Sequence, residues 1–146
     1  SDVTRYGLIT SSLSGTFDQF PTRGQYQIKN GDVLVAINNS SRGTVVLVPN
    51  QFDGAICTSG FLVVRPNNKE EGLLLWYALR SEVCRQQIYY LAQTASQPEI
   101  KLGSWKDRFL IPIPKGKHRQ KALDESKRFQ SHLDSLLDAD KCRFAI

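Results

Sequence analysis

Two short polar runs hold the groups with which a protein can read a nucleic-acid base. Asn38-Asn39-Ser40-Ser41-Arg42 places amides, hydroxyls and a guanidinium side by side. A carboxamide can grip adenine through N6 and N7, and a guanidinium can grip guanine through O6 and N7. Thr94, Ser96 and Gln97 form a second cluster, followed closely by the cations Lys101, Lys106 and Arg108. Lysine and arginine neutralise phosphates and set affinity, whereas groups at base edges set specificity. That division assigns Asn38, Asn39, Arg42, Ser96 and Gln97 to base contact, and Lys101, Lys106 and Arg108 to phosphate contact. The competing reading of each loop residue is an ordinary solvated turn.

The charge distribution points the same way. Residues 1–100 carry 8 Lys/Arg and 8 Asp/Glu, so they balance, while residues 101–146 carry 11 and 6 and hold the whole net charge of +5. Between Lys101 and Lys121, Lys101, Lys106, Arg108, Lys115, Lys117, Arg119 and Lys121 face only Asp107. A patch of this sign is the electrostatic footprint of a polyanion partner. The bland alternative is a solvated surface with a modest positive bias.

Catalytic chemistry finds little support. An amine methylase would need an Asn/Asp-Pro-Pro-aromatic motif and a Gly-rich cofactor loop after a strand, and neither is present. Glu99-Ile100-Lys101 fits the Glu-x-Lys half of a metal-dependent nuclease site, with Glu82 as a conceivable second carboxylate, but no Asp lies between Asp53 and Asp107. Cys57, Cys84 and Cys142 are scattered without metal-ligand spacing, and His118 and His132 share a charged helical stretch. Plain reduced cysteines are expected. No catalytic residue, metal or cofactor is assigned.

Short β-type runs separated by turn residues fill the first half. Asn30-Gly31-Asp32 turns the chain from Tyr26-Gln27-Ile28 into the strand Val33 to Ile37, and Asn38 to Gly43 is a loop. Thr44 to Val48, Ala55 to Thr58 and Phe61 to Arg65 are further strands, with turns at Pro49-Asn50, Asp53-Gly54 and Pro66-Asn67-Asn68. Strands this short and this evenly spaced predict a compact twisted sheet or partial barrel. From Gly72 to Ala92 the period becomes helical: Trp76, Leu79 and Val83 form one stripe, and Cys84, Ile88 and Leu91 a neighbouring one. This helix is expected to pack on the sheet, with Trp76 and Tyr77 in the core. Pro112 and Pro114 keep Phe109 to Ile113 extended.

A last helix is predicted from His118 to about Ala139, with Ala122, Leu123, Phe129, Leu133, Leu136 and Leu137 on one stripe. At ~1.5 Å per residue it is ~30 Å long. It either folds back on its own core or serves dimerisation and docking, in which case another chain completes its seam. The fold class is α+β: a small sheet or partial barrel with one packed helix, then a spacer-type helix. Residues 1–116 form the recognition unit and 117–146 the terminal helix. Apolar content of 40% and charged content of 23% suit a soluble globular chain. Its longest apolar runs, Leu73 to Leu79 and Phe61 to Val64, fall far short of a membrane span, and no signal peptide is legible. A cytoplasmic location is expected. The absence of methionine suggests an excised domain.

The ordered pieces resemble the target recognition domain of type I restriction–modification specificity (S) subunits. They are Gly31 to Ala36, Thr58 to Pro66, the helix from Leu73 to Leu91 with Leu79-Arg80-Ser81, the polar turn at 94–98, Phe109 to Pro114, and Arg119-Gln120 opening a long helix. They run collinearly from Ile28 to Leu137. The resemblance implies non-catalytic, sequence-specific binding of double-stranded DNA that directs adenine methylation or restriction in a defence system. It implies an adenine methylase subunit, or a fused methylase domain, as partner. A restriction/translocase subunit and self-association through the terminal helix complete the implied assembly. About thirty residues precede Gly31, one recognition unit is present rather than two, and the terminal helix is short for a full spacer. These departures favour an excised domain, a half-length subunit or a fusion fragment. A pure protein-interaction module built on the terminal helix is the remaining alternative.

Overall fold

In the computed structural model the described residues are 3–4, 6–10, 24–37, 43–93 and 107–143. Among the described residues five strands form two small antiparallel sheets: β1 (Gly24–Gln27) pairs with β4 (Ile56–Thr58), and β2 (Val33–Ala36) lies between β3 (Val45–Leu47) and β5 (Phe61–Val64). The α+β class is as expected, with no closed barrel among the described residues. The single packed helix of the sequence reading is instead two, α1 (Lys69–Leu79) and α2 (Glu82–Gln93). The terminal helix α3 spans Lys117–Arg143.

The three-stranded sheet is covered on both faces, which is why its strands read as continuous apolar runs. Val33 sits opposite Leu47 and Val64, and Val35 opposite Val45 and Leu62; these side chains face the helices. Leu34 sits opposite Val46 and Val63 on the other face, where Ile28, Val48, Phe52 and Cys57 complete a second cluster beneath β1 and β4. Each fully buried Leu or Val here contributes ~1.5–3 kcal/mol relative to an exposed one. Cys57 and Cys84 are free thiols, and burial pushes Cys57 up to about 11.

Capping groups set the helix boundaries. The Asn68 side chain accepts the Glu71 N–H at 2.9 Å, and the Glu71 carboxylate accepts the Asn67 N–H at 2.8 Å. Together these two bonds, a near relative of the capping box, start α1 three residues before Gly72, where the apolar pattern alone would begin it. The break after Leu79 has a similar cause. Ser81 N–H donates to Ala78 O in a tightened last turn, and Ser81 Oγ then accepts the Cys84 N–H at 3.3 Å to open α2. Restarting the helix changes its phase, so Val83, expected on the stripe of Trp76 and Leu79, is 58% exposed. Cys84, Ile88 and Leu91 keep their expected buried positions.

The first half of α3 folds back on α1. Ala122, Leu123 and Leu133 are buried, and Ser126 Oγ donates to Leu73 O at 3.3 Å. Trp76, 1% exposed, meets Phe129 with ring centroids 5.5 Å apart, and the Arg80 guanidinium lies 3.6 Å over the Phe129 ring. Arg119 pairs with Glu70, and the Tyr77 hydroxyl donates to Glu125, which holds the phenol above its usual range. Beyond Leu133, Leu136 of the same stripe is 44% exposed. No helix among the described residues is long and apolar enough to cross a membrane.

Candidate nucleic-acid interface

A buried carboxylate and its ion pair organise the body from which the polar loops spring. Gly31 takes a positive φ of +86°, the left-handed turn that glycine adopts without strain, and delivers Asp32 into the protein. Asp32 accepts Arg65 Nε at 2.9 Å, Arg65 Nη2 at 2.8 Å and the Lys29 N–H at 2.8 Å. Desolvation works against the charge, yet the bonds from Arg65 and Lys29 outweigh it and hold the carboxyl below its ordinary range. Gly72 closes the same node, since a Cβ there would lie 3.1 Å from Gly31 O and 3.2 Å from Pro66 Cγ. The motif residues Gly31, Asp32, Arg65 and Pro66 are therefore architectural.

On either side of residues 38–42, the described chain ends at Ile37 and resumes at Gly43 beside the same end of β2. Ala36 N–H donates to Thr44 O at 2.8 Å, and Gly43 N–H donates to Ala36 O at 3.1 Å. A Cβ on Gly43 would lie 4.0 Å from Arg85 Cγ, so this anchor abuts α2. The second polar run follows directly from the end of α2 at Gln93, and the described chain resumes at Asp107. There the buried Phe109 inserts into the core, while Arg108, at the end of a helical turn, and Leu110 are exposed on either side of it. Gln87 of α2 grips this segment with its whole amide: its Nε2 donates to Leu110 O at 2.9 Å, and its Oε1 accepts the Leu110 N–H at 2.8 Å.

Helical geometry puts these two anchors on opposite flanks of α2. With Cys84, Ile88 and Leu91 buried, positions 82, 86 and 89 form the outward ridge; Arg85 lies on one side of it, and Val83, Gln87 and Tyr90 on the other. Both loops predicted to meet DNA thus have an end against the same helix.

Of the predicted site residues, Asn38, Asn39, Arg42, Ser96, Gln97, Lys101 and Lys106 lie outside the described residues, as does Glu99. Arg108 is described and exposed. The suggested second nuclease carboxylate, Glu82, is exposed and bonded to Arg85 and Gln86. Among the basic residues, Arg119 is held by Glu70 and Lys121 lies 3.8 Å from Glu125, whereas Lys115 and Lys117 are exposed at the start of α3. Sequence reasoning missed Gln87 as the clamp between α2 and the basic segment. Its signal was a polar residue on the flank of an otherwise apolar stripe.

No protein-family model and no curated protein matches the chain. Solved structures do. The crystal structure of the HsdS subunit from Thermoanaerobacter tengcongensis superposes with a TM-score of 0.72 at 24% identity, over 92% of this chain and 35% of that one. This chain has the fold of one part of HsdS. A second structure, described as the basis of complex assembly and conformational transition of the type I R-M system, superposes with a TM-score of 0.67 at 26% identity, over 95% of this chain and 38% of that one. The chain spans little more than a third of either. The likeness to S-subunit target recognition domains drawn from the sequence is thus met in three dimensions.

Proposed function

We propose that this chain is a target recognition domain of a type I restriction–modification specificity subunit, or its equivalent beside a single-chain adenine methylase. It reads double-stranded DNA by sequence and directs adenine methylation or restriction without catalysing either. The observation that carries this reading is the superposition on HsdS over 92% of the chain. The full positive excess in residues 101–146 adds the electrostatics that a phosphate backbone requires.

In this reading Asn38, Asn39, Arg42, Ser96 and Gln97 contact bases, and Lys101, Lys106 and Arg108 contact phosphates. Residues 1–116 are the recognition unit. Residues 117–146 are the docking or self-association helix, whose first turns also close the domain core. The partners are an adenine methylase subunit or domain and a restriction/translocase subunit, in the cytoplasm of a cell defending itself against foreign DNA.

Binding to cognate and scrambled duplexes tests the assignment. Arg42→Ala and Gln97→Ala are each expected to lose ~1–3 kcal/mol of discrimination at particular base pairs. Lys106→Ala is expected to weaken all sequences alike and flatten the salt dependence by about one unit of slope. Identical behaviour of Arg42→Ala and Lys106→Ala on both duplexes would refute this division of labour.

A further inference from the structure

α1 and α3 run parallel, so their N-termini lie side by side at one end of the domain. Glu70 pairs with Arg119, Ser126 Oγ donates to Leu73 O and Trp76 meets Phe129, partners that advance together along both helices. The turn before β2 joins this end, because Gly72 of α1 abuts Gly31 and Pro66. Lys29 of that turn, Lys69 of α1, and Lys115 and Lys117 at the start of α3 are exposed here. None of the four has a carboxylate partner among the described residues. The carboxylates of the same turns are all engaged: Asp32 by Arg65, Asp53 by the Asn30 N–H, Glu70 by Arg119 and Glu71 by Asn67.

These charges stand where helix stability would not put them. A helix dipole favours anions at the N-terminus and disfavours cations. The first turn of α3 has no acidic residue and carries Lys117, His118 and Arg119 instead. Glu70 neutralises Arg119, which leaves the lysines as an uncompensated excess.

We propose that this end of the domain, with Lys29, Lys69, Lys115 and Lys117 around the starts of α1 and α3, binds the sugar–phosphate backbone of a duplex. The proposal rests on the DNA-binding reading and adds a surface that the base-contact assignment does not use. Its composition favours nucleic acid over a protein partner. Protein interfaces are depleted of lysine and enriched in aromatic side chains. Residues 67–70 and 115–119 carry lysines and asparagines and no large apolar side chain. Ammonium groups of this kind neutralise phosphates and hold a duplex without reading its sequence.

The full chain is titrated with a mixed-sequence duplex at several salt concentrations, as wild type, Lys69→Gln, Lys115→Gln, Lys117→Gln, the triple variant and Lys127→Gln. Lys127 is exposed on α3 ~15 Å beyond Lys117, so its substitution removes the same charge away from the surface. Each single substitution at the surface is expected to weaken binding severalfold and to flatten the salt dependence by about one unit of slope, and the triple variant by about three. Lys127→Gln leaves the slope at the wild-type value. The thermal midpoint holds or rises, because cations are removed from helix N-termini, so a folding defect is recognisable. If the wild type binds but the triple variant keeps its slope, or if Lys127→Gln flattens the slope as much as Lys117→Gln, this end is not a phosphate surface and the inference alone falls. If the triple variant keeps the slope and loses assembly with a methylase subunit, the surface docks a protein and the inference falls as well. A wild type that binds no duplex at low salt overturns the DNA-binding reading together with it.

Discussion

Around Asp32 the carboxylate takes three hydrogen bonds from Arg65 and Lys29, and Gly72 closes against Gly31 and Pro66 without room for a side chain. Along the outside of α2, Val83, Tyr89 and Tyr90 stand in solvent, and Glu82 bonds only to its own helix neighbours. The first region is buried and bonded across the fold; the second is exposed and bonded only along its own helix. A substitution at the clamp that Asp32 makes on Arg65 and Lys29 disturbs the body, whereas one on the outside of α2 leaves the body intact. Such a separation lets the exposed face of α2 change without disturbing the fold.

The comparison breaks most readily at the core. Trp76 is buried between the sheet, Phe129 and Arg80. Trp76→Ala is expected to cost ~3–5 kcal/mol, read from chemical denaturation. A smaller loss would mean that α3 holds α1 more weakly than the aromatic stack indicates. Gly72→Val tests the clamp next. Its Cβ would press on the Gly31 carbonyl and on the Pro66 ring, so overpacking of ~1–3 kcal/mol is expected, with little change in the slope of DNA binding against salt.

Much of the body was legible because local chemistry and packing agree there. Gly31-Asp32 reads as a turn and is one, Val33 to Ala36 reads as a buried strand and pairs on both edges, and Cys84, Ile88 and Leu91 read as a buried stripe. Legibility failed where two signals compete. The apolar period runs unbroken through Leu79 to Val83, but the Ser81 hydroxyl captures the Cys84 N–H and restarts the helix, which turns Val83 outward. Splitting of the strands into two sheets was likewise hidden, since strand pattern specifies which face is buried and not which strand is the neighbour. The two polar runs announced chemistry by residue type, but what the structure adds is that Gly43 meets Arg85 and Gln87 meets Leu110 on one helix. Those pairs are far apart in sequence and have no period.

Acidity separates the two regions further. The Asp32 pKa is lowered in the folded state, so the ionised carboxylate stabilises the fold above its unfolded value of ~3.9, and that contribution fades as pH falls through the lower native value. Asp32→Asn is expected to lower the thermal midpoint at neutral pH, because the amide cannot accept both Arg65 bonds. The gap to wild type then narrows in acid. A midpoint difference that is the same at neutral pH and well below pH ~3.9 would show that the clamp acts through shape rather than charge.

The smallest effect on the body, and the sharpest on the interface, is expected at Gln87. Its side chain touches the basic segment through the two bonds to the Leu110 backbone, and both are exposed to solvent. Gln87→Leu keeps the bulk of the residue and deletes both bonds, for a stability loss of about 1 kcal/mol. Phe109 remains buried and keeps the segment attached, so the fold survives. What is lost is the fixed distance between α2 and Arg108. A phosphate contact weakens when its cation must be ordered on binding, so DNA affinity is expected to drop severalfold with the salt slope unchanged. Gln87→Glu sharpens the point: a carboxylate still accepts the Leu110 N–H but cannot donate to Leu110 O, and it adds a negative charge beside the cations. Its affinity should fall below that of Gln87→Leu, and if the two variants bind alike the clamp does not position the basic segment.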